Sequence, residues 1–213
     1  HALIDPQVDR TRNRADQIDS DVCLRVVGET REGIVVSGCK MIGTSAPIAD
    51  EVLIWPLPVP QSENEVAHAI AFAVPMSLPG LKIICRSSFA HPGQEMDFPL
   101  SARFDEMDAV LIFEHAVVPW ERVFVYRDVA RLKKISTTRM RELTAHQTNI
   151  RLTSKVEFVY GVLCLMAEAI GVHQVPTVQE MLGEAASYLE MLKAVVIASE
   201  DGADIDSGNG CCY

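Results

Sequence analysis

The stretch Lys40-Met41-Ile42-Gly43-Thr44-Ser45-Ala46-Pro47-Ile48-Ala49-Asp50 sets the pattern of the first half of the chain. Its apolar residues and its threonine favour an extended strand, and the proline interrupts that strand soon afterwards. Similar short apolar runs recur around it, at Ile34–Val36, Val52–Trp55, Ile70–Val74 and Leu81–Cys85. Glycines and prolines separate these runs at the intervals expected of a compact antiparallel sheet or barrel. We therefore predict that residues from about 21 to 126 are mainly β.

The residues from about 128 onward follow a helical pattern. Turn residues become rare, and helix formers predict a long helix from about Thr138 to Ile170 that stops at Gly171. A β half that runs into long apolar helices predicts an α+β chain. We place the boundary between a β domain, residues 1–127, and a partial helical domain, residues 128–213.

A second helix is predicted to follow Pro176, which blocks continuation from upstream. Thr177 and Glu180 have the spacing of a capping box, so Thr177 is the predicted cap. Gly202 is the predicted end.

The composition limits the classes of partner. The chain has 213 residues, 48% of them apolar, and a formal charge of −10. The acidic excess argues against a surface that follows a phosphate backbone, so we expect no nucleic-acid partner. A local run of arginine and lysine between residues 127 and 141 is typical of a solvated helix face, with an anion site for a cofactor as the alternative.

The six cysteines form no CxxC pair and no His/Cys spacing of a zinc site. We predict reduced, mostly buried thiols, no metal and a cytoplasmic location. The most apolar stretch, Val156–Val172, contains Glu157 and Glu168, which predicts a buried helix rather than a membrane span.

Four segments, in this order, resemble the 4-hydroxyphenylacetate 3-monooxygenase family of the acyl-CoA-dehydrogenase-like superfamily. They are His1–Arg10, Lys40–Asp50, Phe104–Phe124 (with its Phe104-Asp105-Glu106-Met107-Asp108-Ala109 and Val118-Pro119-Trp120-Glu121-Arg122 motifs), and the stretch from His146-Gln147 to Gly161. The specificity lies in the ordered set. The resemblance implies an internal fragment with an acyl-CoA-dehydrogenase-like fold: a middle antiparallel β-barrel domain, which faces the flavin, followed by the first helices of a C-terminal helical bundle.

The resemblance also implies a flavin site along the first segment. His1 would touch both the flavin and a phenolic substrate, and its imidazole would help to remove the phenol proton. Further flavin contacts would come from Ala2, Leu3, Gln7, Val8, Asp9 and Arg10. Arg10 could instead pair with Asp9 or Asp5 at the surface.

Thr44 corresponds to a threonine that faces the flavin in the superfamily. The flavin N5 atom accepts a hydrogen bond when oxidised and donates one when reduced, and a hydroxyl can serve both states by rotating. An ordinary strand threonine is the alternative.

His146 is the second predicted acid or base, because related enzymes carry a functional histidine at the matching place. Asn149, Ile150 and Thr153 would share its helix face, and a polar stripe facing solvent would look the same. Pro56 and Leu57 are predicted substrate contacts in a loop that covers the substrate in the family. A stiff surface loop is the alternative there.

The implied function is that of the oxygenase component of a two-component monooxygenase, which hydroxylates a phenol ortho to its hydroxyl. Reduced FAD, with FMN as the alternative, would come from a separate flavin reductase. The flavin would supply the oxygen chemistry, and the protein would supply a dry pocket and a base. A homo-oligomer, as a dimer of dimers, is also implied.

Two rival functions remain open at this point. The first is an FAD and iron–sulfur 4-hydroxybutyryl-CoA dehydratase or vinylacetyl-CoA isomerase, in which a cysteine follows the matching histidine by seven residues. Here that position is Thr153, which is a poor cluster ligand. The second is a non-catalytic assembly domain.

Overall fold

The computed structural model describes residues 1–17, 21–136, 140–205, 208 and 210, without the side chains of residues 140 and 141. The chain divides into two compact units, His1–Ile135 and Ser136–Tyr213. The sequence-based boundary lies eight residues earlier. The difference arises because the short helix Val129–Ser136 packs Val129 and Leu132 into an apolar cluster of the first unit.

Within its described residues, the first unit contains eight strands and two short α-helices. The strands are β1 (Ala2–Ile4), β2 (Arg25–Glu29), β3 (Gly33–Thr44), β4 (Glu51–Leu57), β5 (Ile70–Pro75), β6 (Leu81–Cys85), β7 (Asp108–Pro119) and β8 (Val123–Tyr126). The helices are α1 (Ser101–Phe104) and α2 (Val129–Ser136). Each apolar run quoted from the sequence lies in one of these strands, which confirms the predicted β half.

The strands form one sheet in the order β6-β7-β3-β1-β4-β5-β8, with β2 paired to β3. All pairs are antiparallel except β1 and β4, which run parallel, so the sheet is mixed rather than purely antiparallel. β1 lies between β3 and β4, where Ile4 pairs with both Met41 and Leu57. This register brings the first segment, the Thr44 strand and the Leu57 loop side by side.

The core lies where residues of β2, β3, β4, β5 and β7 meet. Side chains alternate between buried and exposed positions along β4, as expected for a strand with one buried face. Phe72 of β5 and Phe113 of β7 meet edge to face with ring centroids 5.7 Å apart. That contact joins β5 and β7, which lie in opposite halves of the strand order, through a shared core.

The second unit contains helices α3 (Met140–Ala169) and α4 (Pro176–Asp201). Gly171 follows α3 with a φ of +71°, and Gly202 follows α4, so both predicted stops are confirmed. The predicted start at Thr138 lies outside the described residues. The predicted capping box is wrong: Val175 is the cap, because Pro176 takes the first helical position and puts Thr177 inside the first turn.

Apolar side chains of α3 and α4 are largely exposed in this chain. Among the residues described in the second unit, Ala167 and Leu189 are the buried apolar ones. The prediction of a buried helix over Val156–Val172 is wrong on burial: the segment is helical as far as Ala169, but most of its apolar side chains are exposed in this chain. Within the described ranges, no helix is long and apolar enough to cross a membrane.

The four cysteines within the described residues are free thiols. Cys23 is buried, Cys39 and Cys164 are half-buried and Cys85 is exposed, so the expectation of mostly buried thiols holds for only one of them. Cys211 and Cys212 lie outside the described residues.

Candidate functional site

A cavity of about 330 Å³ opens beside the loop that follows β1. Its lining includes Gln7, Asp9 and Arg10 of that loop, together with Leu57 at the end of β4 and Glu65. The cavity thus joins three of the predicted flavin contacts to one of the predicted substrate contacts. The pairing of β1 with β4 is the cause of this proximity, because it sets the two loops next to each other.

The other predicted residues of these loops do not line the cavity. His1 is exposed just before β1, and Val8 is exposed. Ala2 is fully buried beside Ile54 of β4. Pro56 is also fully buried, so its side chain is a core residue here.

Four buried charged side chains form a cluster at these loops. Asp5 Oδ1 lies 2.7 Å from Lys40 Nζ, and Asp5 Oδ2 lies 2.8 Å from Arg14 Nη1. Arg14 Nε lies 3.2 Å from Glu65 Oε1. Two positive and two negative groups make the cluster neutral, which is the condition under which charges are tolerated in a protein interior.

Each nitrogen of the Arg14 guanidinium bonds to a different part of the chain. Nη1 pairs with Asp5 of the first loop, Nε with Glu65, and Nη2 donates to the carbonyl oxygen of Pro58. Lys40 adds a hydrogen bond of 3.1 Å to the carbonyl oxygen of Leu3. The predicted flavin loop and the predicted substrate loop are therefore fastened to one another and to β3.

The carboxylates that Arg10 could have paired with are occupied by other arginines. Asp5 is held by Arg14, and Asp9 Oδ2 lies 3.2 Å from Arg12 Nε. The exposed Arg10 side chain remains at the mouth of the cavity. The surface pairing suggested as an alternative for Arg10 is therefore not what the structure contains.

Burial controls the ionisation of the groups around the cluster. Burial lowers the pKa of Lys40, and the Asp5 carboxylate opposes that shift. Burial also lowers the pKa of His68, whose Nδ1 lies 2.9 Å from the carbonyl oxygen of Leu24. Burial raises the pKa of the Cys23 thiol to about 11, so this thiol is a packing group rather than a nucleophile.

Thr44 lies at the end of β3, directly opposite Asp108 at the start of β7. Its hydroxyl donates a hydrogen bond of 2.7 Å to Asp108 Oδ1, and Arg86 Nε lies 3.8 Å from Asp108 Oδ2. The strand is irregular here: Ile42 and Ser45 both have a φ of +59°. A β-branched residue in that region is an outlier, and such strain and bulging recur at functional sites.

His146 belongs to the second unit, and its partners are residues of α4. Its Nδ1 lies 2.9 Å from Ser199 Oγ, which itself donates to the carbonyl oxygen of Val196 at 2.7 Å. Because serine has one proton to donate, Nδ1 must carry the hydrogen of the His146 bond. His146 Nε2 lies 3.7 Å from Glu200 Oε1, beyond hydrogen-bonding distance.

The half-buried face of α3 includes His146, Asn149 and Thr153, whereas Ile150 is exposed. The Thr153 hydroxyl donates to the carbonyl oxygen of Asn149 at 2.8 Å. The polar stripe is thus partly covered rather than fully solvated, and His146 stays a predicted acid or base.

Sequence reasoning missed Arg14, Lys40, Glu65 and Asp108. A signal existed for Lys40, which is a lone charge in an otherwise apolar strand, and Asp108 lies inside a quoted motif. Arg14 and Glu65 lie in segments without strand or long-helix periodicity, so nothing local marks them as buried.

Comparison with known proteins gives matches along both halves of the chain. Residues 1–125 match the family model "4-hydroxyphenylacetate 3-hydroxylase N terminal", and residues 134–213 match "4-hydroxyphenylacetate 3-hydroxylase C terminal". The oxygenase component of 4-hydroxyphenylacetate 3-monooxygenase from Thermus thermophilus is 41% identical over 204 residues, which cover 95% of this chain and 42% of the relative. The oxygenase component of 4-nitrophenol 2-monooxygenase from Rhodococcus is 35% identical over 196 residues, which cover 90% and 37%.

Solved structures of proteins from the same family also match this chain. The oxygenase component of 4-hydroxyphenylacetate 3-monooxygenase in complex with FAD and 4-hydroxyphenylacetate matches with a TM-score of 0.90 and 40% identity, over 100% of this chain and 44% of that chain. A 4-hydroxybutyryl-CoA dehydratase from N. maritimus has a TM-score of 0.83 at 23% identity, over 100% and 42%, which is a likeness of fold. The chain spans less than half the length of these relatives. With family models matched along both halves, the chain belongs to the 4-hydroxyphenylacetate 3-hydroxylase family.

Proposed function

We propose that this chain serves in the oxygenase component of a two-component monooxygenase, which uses reduced FAD to hydroxylate a phenol ortho to its hydroxyl. The observation that carries the proposal is that Gln7, Asp9, Arg10 and Leu57 line one and the same cavity. A cofactor loop and a substrate loop must meet for the reaction to occur between their ligands. The family and the FAD-bound relatives support the same reading.

The groups at the cavity suit a flavin. The Gln7 amide is a hydrogen-bond donor and acceptor, and the Arg10 guanidinium is an exposed cation that can meet an anionic group of the cofactor. The cavity volume of about 330 Å³ is at the small end for ligand sites, so it fits part of the cofactor rather than the whole. FAD, when bound, supplies the oxygen chemistry. FAD is preferred to FMN because the solved relatives contain FAD.

The chain's own residues bind and orient the substrate in this proposal. Leu57, 43% exposed at the cavity, offers an apolar wall for the phenol ring and keeps water away from it. His1, exposed beside β1, accepts the proton of the phenol hydroxyl. His146 is kept as a second acid or base, with its Nε2 lone pair available as the acceptor when Nδ1 donates to Ser199.

The partners follow from the same proposal. Relatives named "oxygenase component" imply a separate flavin reductase, and their names include 4-hydroxyphenylacetate and 4-nitrophenol as substrates. Both are phenols with a substituent para to the hydroxyl, and we take that class as the substrate. A homo-oligomer, as a dimer of dimers, and a cytoplasmic location complete the proposal.

The dehydratase alternative is disfavoured by the chemistry of Thr153. Its hydroxyl bonds to the carbonyl oxygen of Asn149, and a threonine does not replace a thiolate on an iron–sulfur cluster. An assay for iron and sulfide on the full-length protein separates the two enzymes, because a stoichiometric cluster contradicts the hydroxylase.

Product analysis tests the proposal directly. Full-length protein receives chemically reduced FAD, oxygen and a panel of para-substituted phenols, and catechols are measured by chromatography and mass spectrometry. Catechol formation supports the proposal, and failure across the whole panel overturns it. Absence of flavin binding in either redox state would point to the assembly domain instead.

A matched pair of variants tests the cavity. Leu57→Ala should raise the KM for the phenol about 10-fold, because an apolar wall is lost. Leu53→Ala is the control: Leu53 lies on the same strand with a similar exposure of 41%, and it does not line the cavity. Equal effects of the two changes would contradict the assigned role of Leu57.

A further inference from the structure

The hydroxyl group of Thr44 has its single proton committed to Asp108. A threonine hydroxyl carries one hydrogen and two lone pairs, whereas a carboxylate only accepts hydrogen bonds. At the observed 2.7 Å from Thr44 Oγ1 to Asp108 Oδ1, the hydrogen must therefore lie on the threonine and point to the aspartate. A ligand at Thr44 meets a lone pair and no proton.

Several contacts hold this arrangement in place. Thr44 and Asp108 are directly paired across β3 and β7, and Ser45 N donates to the carbonyl oxygen of Met107 at 3.0 Å. Arg86 Nε lies 3.8 Å from the other oxygen of Asp108, so a positive charge stands on the far side of the carboxylate. A hydrogen bond to a charged acceptor is about twice as strong as a neutral one, so rotation of the hydroxyl away from Asp108 is costly.

The backbone around Thr44 is irregular. The register of β3 against β7 shifts between Lys40 and Gly43, and residues on both sides of Thr44 adopt left-handed conformations. The exposed Ile42 is β-branched, for which this conformation is unfavourable. Such strain persists only where the surrounding structure imposes it.

We infer that Asp108 is a positioning residue that fixes Thr44 as a hydrogen-bond acceptor and so makes the site select reduced over oxidised flavin. The inference rests on the proposed function, together with the family resemblance, which implies that Thr44 faces the flavin N5 atom. Reduced flavin carries a hydrogen on N5, and this N–H group would donate a hydrogen bond to a lone pair of Thr44 Oγ1. Oxidised flavin presents a lone pair there, and it gains a hydrogen bond only if the bond from Thr44 to Asp108 breaks.

Selection of this kind suits an oxygenase that receives its cofactor already reduced. The sequence alone allowed a hydroxyl that rotates to serve both states, and Asp108 removes that freedom. The negative charge of Asp108 acts in the opposite direction, because a nearby anion disfavours a flavin that gains negative charge on reduction. The hydrogen-bond effect and the charge effect therefore have opposite signs and can be separated.

A double-mutant cycle on the full-length protein tests the inference. The quantity measured is the ratio of the dissociation constants for oxidised and reduced FAD, the latter under anaerobic conditions. Relative to its effect in a Thr44→Val background, where only the charge effect acts, Asp108→Ala should lower this ratio about tenfold when Thr44 is present, which corresponds to the free energy of one hydrogen bond. For a two-electron couple, a tenfold change corresponds to about 30 mV in the midpoint potential of the bound flavin.

The same Asp108→Ala change in a Thr44→Val background should not lower the ratio, because only the charge effect remains. Thr44→Ser, which keeps the hydroxyl, should retain the wild-type ratio. Equal effects of Asp108→Ala in both backgrounds would overturn the inference. If Asp108→Ala does not fold, the comparison of Thr44→Val with Thr44→Ser decides: a ratio unchanged between them overturns it.

Two further outcomes separate this inference from the proposed function. Binding of FAD in neither redox state would overturn both together. Catechol production without coupling between Thr44 and Asp108 would overturn this inference alone. Glu114→Ala is the control for a lost carboxylate on the same strand, since Glu114 pairs with Lys82 at the surface, and it should leave the ratio unchanged.

Discussion

At the residue scale, Arg14 illustrates why a buried charge needs all of its partners. Its side chain is only 7% exposed and lies between Asp5 and Glu65, while Lys40 supplies the second positive charge. Replacing it with a neutral side chain leaves two buried carboxylates with a single cation. Breaking a buried ion pair in this way costs about 3–5 kcal/mol, far more than the pair itself contributes.

We therefore expect Arg14→Met to lower the free energy of unfolding of the full-length protein by about 3–5 kcal/mol, measured by urea denaturation. The matched control is Arg122→Met. Arg122 forms an exposed pair with Glu51, and loss of an exposed pair costs about 0–1 kcal/mol. Similar losses for the two variants would show that the cluster around Asp5 is not a strongly coupled buried network.

His68 gives a prediction for pH. Burial holds the pKa of His68 below its ordinary value of 6.5. As the pH falls below 6.5, the unfolded chain binds a proton that the folded chain does not, so the free energy of unfolding decreases down to the folded pKa. The slope contributed by this group is at most about 1.4 kcal/mol per pH unit.

The variant His68→Asn removes the titration and keeps an amide that can donate to the carbonyl oxygen of Leu24. Urea denaturation at several values between about pH 5 and 7 should give a flatter dependence than in the wild type. His91→Asn, at an exposed histidine, should leave the dependence unchanged. An unaltered slope in His68→Asn would contradict the assigned role.

At the scale of elements, β3 passes very close to the chain at Cys23. Gly38 has a φ of +118°, and a Cβ atom there would lie 2.5 Å from the carbonyl oxygen of Cys23. Gly38→Ala should therefore destabilise the protein by at least about 2 kcal/mol, measured by urea denaturation. Because Gly38 precedes Lys40 and Thr44 on the same strand, the change should also weaken flavin binding.

Gly93→Ala separates the cost of backbone strain from the cost of a steric clash. Gly93 has a φ of +86°, but nothing lies within 4 Å of a Cβ atom at that position. This variant has the backbone strain alone, so it should lower the free energy of unfolding by less than Gly38→Ala does. An equal cost for the two would show that the close approach to Cys23 is unimportant.

The sequence predicts the elements better than it predicts their pairing. The strands are found because apolar runs and turn residues have a local pattern. The parallel pairing of β1 with β4 leaves no such mark, because β1 has three residues and its partners lie 37 to 53 positions away. The bond from Thr44 to Asp108 likewise depends on a register between strands 64 residues apart. Family resemblance supplied Gln7, Asp9, Arg10 and Leu57, whereas Arg14 and Glu65 needed the folded chain.

At the scale of the whole molecule, the exposed apolar side chains of the helices and the net charge have opposite effects on self-association. In the second unit, Phe158, Leu165 and Ile197 are 52%, 66% and 58% exposed. Such surfaces favour association, since burial of apolar area is stabilising. The net charge of −10 favours separation, and that repulsion is screened by salt.

The 213-residue chain should therefore self-associate more strongly at about 0.5 M salt than at about 0.02 M, because the Debye length shrinks while the apolar contact remains. Light scattering over a range of protein concentrations measures this. Leu165→Glu should reduce association at both salt concentrations. Ile48→Glu, which adds the same charge at an 85% exposed residue of the first unit, should not reduce it at high salt. Equal effects of the two variants would mean that net charge, rather than the apolar faces of α3 and α4, governs the assembly.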